Sequence, residues 1–236
     1  MIIVLKKSNV ILIGLVFALL LAIYSLNMNT DTQATATGSD LQKTVIVDAG
    51  HGGEDPGKVS SYSDLKEKEL NLIIALKLKK LLEEDEYKVI MTREEDKLVY
   101  TEGTTGIYQK RLQDLTRRKQ IMDTGGAQIV VSIHMNSFTD PVYYGAQTFY
   151  PPNSPDSLKL AVSIQKSMRT ILDPDNKRQP QEKKDEIVIL RDLKTPTTIV
   201  ECGFLSNAAE ERKLSTEEYQ LKVAEAIKAG IADYFK

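Results

Sequence analysis

The amino-acid sequence predicts an α/β fold: a single domain with a central, largely parallel twisted sheet of about six strands flanked by helices, preceded by an N-terminal hydrophobic segment. Three observations lead there. Short, nearly continuous Val/Ile runs recur along the chain, as expected of strands buried on both faces. Stretches with apolar residues at helical spacing alternate with them, which favours parallel strands joined by crossover helices. The length of 236 residues, 42% of them hydrophobic, suffices for one core of moderate size.

The elements follow in chain order. Lys6 and Lys7 precede an uncharged stretch, Ser8 to Thr30, whose apolar heart runs from Val10 to Leu26. That heart is longer than a signal-peptide core of roughly 7–15 residues and shorter than a spanning helix of about 20. Residues 1–28 therefore read as a signal peptide or membrane anchor, with the lysines favouring a cytoplasmic N-terminus and export of the rest. Ala34-Thr35-Ala36 offers a small-residue cleavage pattern, and no cysteine follows closely enough for lipoprotein processing. Residues 29–42 are small, polar and aperiodic, a linker. The folded domain is expected over 43–236.

Within that domain Thr44–Val47, Lys88–Met91, Ile129–Ile133 and Thr197–Val200 read as strands, with Gly145–Tyr150 and Glu186–Leu190 as two more. Helices are expected over Glu69–Glu84, Arg111–Met122, Ser157–Leu172 and Thr216–Phe235. Ser215 with Glu218 forms a capping box for the last of them. The charged, proline-broken stretch Asp173–Asp185 reads as an exposed loop.

Composition narrows the chemistry. The chain has 31 Lys+Arg and 33 Asp+Glu, a net charge of −2. No cationic surplus exists to neutralise phosphates, which argues against nucleic acid as a partner. One cysteine permits neither an internal disulfide nor a multi-thiolate metal site. With two histidines in all, metal chemistry would have to combine His51 and His134 with carboxylates.

Both histidines fall directly after predicted strands, and ligands of open α/β sheets bind beyond the carboxyl ends of strands. His51 sits in Asp48-Ala49-Gly50-His51-Gly52-Gly53, where glycines let the backbone turn sharply. Two histidines and one carboxylate leave the fourth position of a tetrahedral metal open for water or substrate. The carboxylates within reach by sequence are Asp48, Glu54, Asp55, Glu67, Glu69 and Glu201. Spacing does not choose between Glu67 and Glu69, and Asp64 with Glu67 could equally form a capping box. Glu201, directly after Thr-Ile-Val, is costly to bury unless paired or functional. It could act as general base beside a metal, or pair with Arg93, Arg117 or Arg118. Cys202 should face away from Glu201 into the core.

Five segments then carry a family resemblance. They are V-I-V-D-A-G-H-G-G-E-D-P-G (Val45–Gly57), E-K-E-L-N-L (Glu67–Leu72), M-T-R (Met91–Arg93), S-I-H-M-N-S (Ser132–Ser137) and V-E-C-G-F-L-S-N (Val200–Asn207). In this order they resemble the zinc-dependent N-acetylmuramoyl-L-alanine amidases of peptidoglycan, over about Val45 to Phe235. The resemblance implies Zn²⁺ held by His51, Glu67 and His134, with Glu201 as the catalytic glutamate, and so favours Glu67 over Glu69. Thr101–Tyr108, Gly145–Tyr150 and the short C-terminus are similar to the CwlD-type amidases of spore formers. That type implies removal of stem peptides during cortex maturation, so that the muramic-δ-lactam needed for germination can form. This chain departs from the family pattern at Asp123 and Ala127-Gln128, none of them ligand positions.

The implied partners are the peptidoglycan glycan-peptide, a protein activator that supports zinc binding, and the membrane through the N-terminal segment. Localisation is expected on the extracytoplasmic side. Arg93 or Arg118 is a candidate to meet a stem-peptide carboxylate, and each is equally a candidate for a structural role. A catalytically inactive wall-binding relative and another zinc hydrolase of cell-wall peptide or glycan are the competing readings. All four site residues are present, where an inactive relative would be expected to have lost at least one.

Overall fold

The structure, a computed structural model, describes residues 42–183 and 187–236. The anchor or signal segment, and the linker apart from Gln42, lie outside the described residues. Among those described, no helix is long and apolar enough to cross a membrane.

Six strands form one sheet: β1 (Thr44–Ala49), β2 (Lys88–Met91), β3 (Ile129–Asn136), β4 (Gln147–Tyr150), β5 (Gln181–Glu182) and β6 (Thr197–Phe204). Their spatial order is β2-β1-β3-β6-β4-β5. All neighbours pair in parallel except β4 with β6, which is antiparallel. The helices are α1 (Glu67–Glu84), α2 (Ile107–Thr124), α3 (Pro155–Leu172), α4 (Ala208–Leu214) and α5 (Glu217–Tyr234).

Strand alternation decides which side chains meet which layer. Val45, Val47, Ile129, Val131, Ile133, Val200 and Cys202 point to one face, where they pack with Leu70, Ile74 and Leu78 of α1, Leu160 and Ile164 of α3, and Val223 and Ile227 of α5. Ile46, Val130 and Ile199 point to the other and meet Met122 of α2 with Ile189 and Leu190. The crossover from β1 to β2 runs one way across the sheet and that from β2 to β3 runs back, so right-handed connections put α1 and α2 on opposite faces. The α2 face is covered by fewer helices, and a cleft opens at its carboxyl edge. Asp48, His134 and Glu201 share strand parity with Ile46, Val130 and Ile199, and so belong to this thinner face. Cys202 is buried on the opposite one, as its place next to Glu201 requires.

Local structure departs from expectation in four places. Val188–Leu190 is a 3₁₀ turn, not a strand: the Leu190 and Arg191 amides donate to the Ile187 carbonyl, and the apolar residues fill the α2 face. Within the expected loop Asp173–Asp185, Gln181–Glu182 pairs with Phe149 and Tyr150 as an edge strand. The cap of α5 is Thr216, whose hydroxyl accepts from the Tyr219 amide, while Ser215 Oγ donates to the Arg212 carbonyl. The short helix α4, capped by Asn207, was not anticipated. Asp123 is bound by Lys119 one helical turn away, and Gln128 accepts from the distant Thr44 amide.

Candidate active site and metal centre

The site lies where the strand order reverses, at the carboxyl ends of β1 and β3, the place where such sheets bind ligands. His51 follows β1 with φ of 62°, and Gly53 beside it has φ of 54°. A non-glycine residue held there costs about 1–3 kcal/mol and persists only if its surroundings enforce it. Arg118 does so by donating from Nη2 to the His51 carbonyl at 2.7 Å. His134 stands on β3 opposite Glu201 of β6 in the pairing register. Gly50 makes room for it: a Cβ there would lie 2.3 Å from the His134 ring.

Glu67 opens α1 and reaches both imidazoles. Its Oε1 is 2.9 Å from His134 Nδ1 and 3.2 Å from His51 Nε2. The Met135 amide donates to the same oxygen at 3.1 Å and the Lys58 amide to Oε2 at 2.8 Å. No capping box with Asp64 forms, since the residue before the helix is Lys66 and Asp64 sits at φ of 58°. One donor atom each from His51, Glu67 and His134 lies within 4.8 Å of the others, a group able to hold a metal ion. Glu69 stays on the surface beside Lys66, at 3.5 Å.

The electrostatics favour positive charge at this point. Burial works against the imidazolium of His51, yet Asp55 and Glu67 raise its pKa to about 9. Burial would raise the Glu67 carboxyl, but His134 and His51 hold it well below the usual carboxylate range. Glu201 behaves oppositely. Burial pushes it up to about 7 against the pull of His134, with Glu67 adding repulsion. Its Oε2 is buried with no hydrogen-bond partner.

The alternative of an arginine pair for Glu201 is not what forms. Arg93 donates to the carbonyls of Ala49, Gly50, Lys68 and Glu95. Arg117 serves the Thr92 carbonyl and Asp114. Arg118 pairs with Asp48 at 2.9 Å and Asp114 at 2.6 Å. Arg93 and Arg118, at 3% and 1% exposure, are structural clamps under the site, so neither is available to a substrate carboxylate.

The other carboxylates have separate tasks. Asp48 accepts from Thr92, Ser132 and Arg118. Glu54 is held by Tyr100 and Lys110. Asp55 lies 2.8 Å from His51 Nδ1, the carboxylate–histidine pairing that orients metal-binding imidazoles. Sequence reasoning counted Asp55 as a candidate donor and missed this supporting place. Its position four residues beyond His51, after two glycines, was the available signal. The cleft also has walls the sequence did not reveal, from Leu98, Leu115, Phe149, Ile187, Ile189 and Ile199.

Two histidines and one carboxylate thus converge as a group able to hold a metal ion, and a second carboxylate, Glu201, lies buried and unpartnered across from His134 in the same cleft of an α/β domain. The chain belongs to the N-acetylmuramoyl-L-alanine amidase family, whose profile matches residues 45–233. It is 35% identical over 193 residues to the germination-specific N-acetylmuramoyl-L-alanine amidase of Bacillus subtilis (strain 168), covering 82% of this chain and 80% of that one. The CwlD amidase from Clostridioides difficile, solved in complex with the GerS lipoprotein, superposes with a TM-score of 0.80 at 43% identity, over 82% of this chain and 98% of that one. An N-acetylmuramoyl-L-alanine amidase from Clostridium difficile 630 gives 0.71 at 30%, over 82% and 97%. The chain is thus a peptidoglycan amidase with germination-related homologues, of the CwlD type.

Proposed function

We propose that this amidase is zinc-dependent, with His51, Glu67 and His134 as the metal ligands and Glu201 as general base and acid. The observation that carries the reading is the buried, unpartnered Oε2 of Glu201 beside a converging His–Glu–His donor set. The donors fit Zn²⁺ in type and number, and they leave one position for substrate or water. Bound there, the ion would supply Lewis acidity, polarising the lactyl carbonyl and acidifying water.

The chain's own residues do the rest. Asp55 fixes the orientation of His51, and the amides of Met135 and Lys58 fix Glu67. Glu201, with its pKa raised to about 7, accepts a proton from the attacking water. Water oxygen bonds to the lactyl carbon, the C–N bond breaks, and Glu201 returns the proton to the departing L-alanine amine. Apolar walls limit competing water in the cleft.

The biological setting in this proposal is removal of stem peptides in the spore cortex, ahead of muramic-δ-lactam formation needed for germination. The enzyme acts on the extracytoplasmic side, exported or anchored by its N-terminal segment. The similar CwlD amidase from Clostridioides difficile was solved in complex with a lipoprotein; we propose a protein partner for this chain as well, whose role is to support zinc binding. The test is digestion of purified cortex peptidoglycan followed by mass spectrometry, with metal content measured in parallel. Released peptides with a free N-terminal L-alanine are expected, and Glu201→Gln should abolish them while retaining zinc. Glycan cleavage, or activity surviving Glu201→Gln, would refute the assignment.

A further inference from the structure

We infer that Arg111 is a specificity-determining residue that binds a carboxylate of the stem peptide, the α-carboxylate of the second residue. The inference rests on the amidase reading above and adds the orientation of the substrate in the cleft.

Arg111 is delivered by α2, whose residues 111, 115 and 118 fall on one helical face. Along that face Arg118 is buried beneath the site, Leu115 lines the cleft wall, and Arg111 stands at the rim, its side chain 47% exposed. Its Nε lies 3.1 Å from Asp55 Oδ2, the same oxygen that is 2.8 Å from His51 Nδ1. A single carboxylate oxygen therefore separates this guanidinium from the imidazole at the reaction centre. The contact is made through Nε, and among the described residues no hydrogen bond engages the terminal amino groups. A half-exposed pair of this kind adds little to stability. The contact with Asp55 keeps a planar donor fork at the cleft rim, suited to a carboxylate.

The other cations around the site are differently placed. Lys110 is bound to Glu54 at 2.7 Å, and Lys183 lies over the Phe149 ring. Arg178, in the neighbouring cleft, donates to the Tyr144 carbonyl and Gln147 and stacks on Phe204. That second cleft, which shares Glu201, is walled by Phe138 and Tyr143 instead.

The substrate presents a matching anion. In muramoyl-L-alanyl-γ-D-glutamate the chain continues through the γ-carboxyl, so the α-carboxylate of the second residue stays free. It lies about 7 Å from the scissile carbonyl, two residues' reach. With that carbonyl between the donor set and Glu201, a peptide extending toward α2 brings this anion to Arg111. The glycan then extends toward the Phe138 side.

The test compares two synthetic muramoyl peptides, one with D-glutamate and one with its α-carboxamide, all other carboxyls being amidated in both. Binding is measured calorimetrically on zinc-loaded Glu201→Gln protein, which cannot turn them over. The carboxylate form is expected to bind roughly tenfold more tightly. Adding Arg111→Gln should bring the ratio near one, and Arg111→Lys should recover part of it. Equal binding of both peptides by the Glu201→Gln protein would overturn the inference. So would a preference that survives Arg111→Gln, or a parallel loss for both peptides, the mark of an effect through Asp55 alone. Hydrolysis by the unmodified chain is read separately: its absence strikes the functional reading, whereas the binding ratio decides this inference.

Discussion

Replacing Arg118 with methionine is expected to destabilise the domain by about 3–5 kcal/mol, the cost of removing one partner from a buried ion pair. The structure explains why the figure belongs at that level. Arg118 is 1% exposed and serves two carboxylates, Asp48 and Asp114, each as buried as itself. It also donates to the carbonyls of Ala49 and His51. Methionine fills much of the volume but leaves two buried anions and two carbonyls short of donors. With an m-value of about 2–3 kcal/mol per M urea, the midpoint should fall by roughly 1–2 M. Urea denaturation followed by far-UV circular dichroism measures this directly. Burial alone would raise Asp48, but the guanidinium, with Ser132 and Thr92, lowers it to about 2. A folded value below the ordinary 3.8 contributes stability that is complete above 3.8 and lost as pH falls through about 2. The gap between wild type and Arg118→Met should therefore narrow in that acid window. A midpoint shift under about 0.3 M at pH 7 with unchanged slope, or a gap that widens toward pH 2, would refute the argument.

Three further outcomes follow from the same geometry. Gly50→Ala would place a methyl 2.3 Å from the His134 ring; zinc titration should show affinity weakened by about ten- to a hundredfold, with thermal unfolding of the metal-free protein much less affected. Asp55→Ala removes the partner of His51 Nδ1 and should weaken zinc by a similar factor, whereas Asp55→Asn, which can still hydrogen-bond, should lose less. Glu201→Gln should lower kcat by at least about a hundredfold and leave zinc affinity nearly intact, which separates proton transfer from metal binding.

Strand ends and their side chains were legible in the sequence because buried parallel strands write themselves as Val/Ile runs, and the polar residue ending each run marks the carboxyl edge. His51, His134 and Glu201 were singled out in that way. Glu67 was not separable from Glu69 by pattern, because both lie in the first turn of an amphipathic helix. Their difference is rotational: Glu67 faces inward with Leu70 and Asn71, and Glu69 faces Lys66. The edge strand β5 is two residues long, too short for any periodicity, and α4 hides behind β6 as a seven-residue turn of charged side chains. Arginine roles stayed open between a structural and a substrate-binding part for a similar reason. Sequence marks Arg93 and Arg118 as cations, but only packing shows them spent on carbonyls and buried carboxylates, and Arg111 left at the rim.

The donor set joins the end of one strand, the start of a helix and a strand much later in the chain, and this has a kinetic consequence. No local fragment can present the site; it exists only once β1 and β3 are paired in register, an entropically costly closure between segments far apart in the chain. A cation that binds there cannot help the chain reach its fold and acts by mass action on the finished state. It should leave the folding rate nearly unchanged and slow unfolding, so that the metal prolongs the life of the domain without hastening its birth.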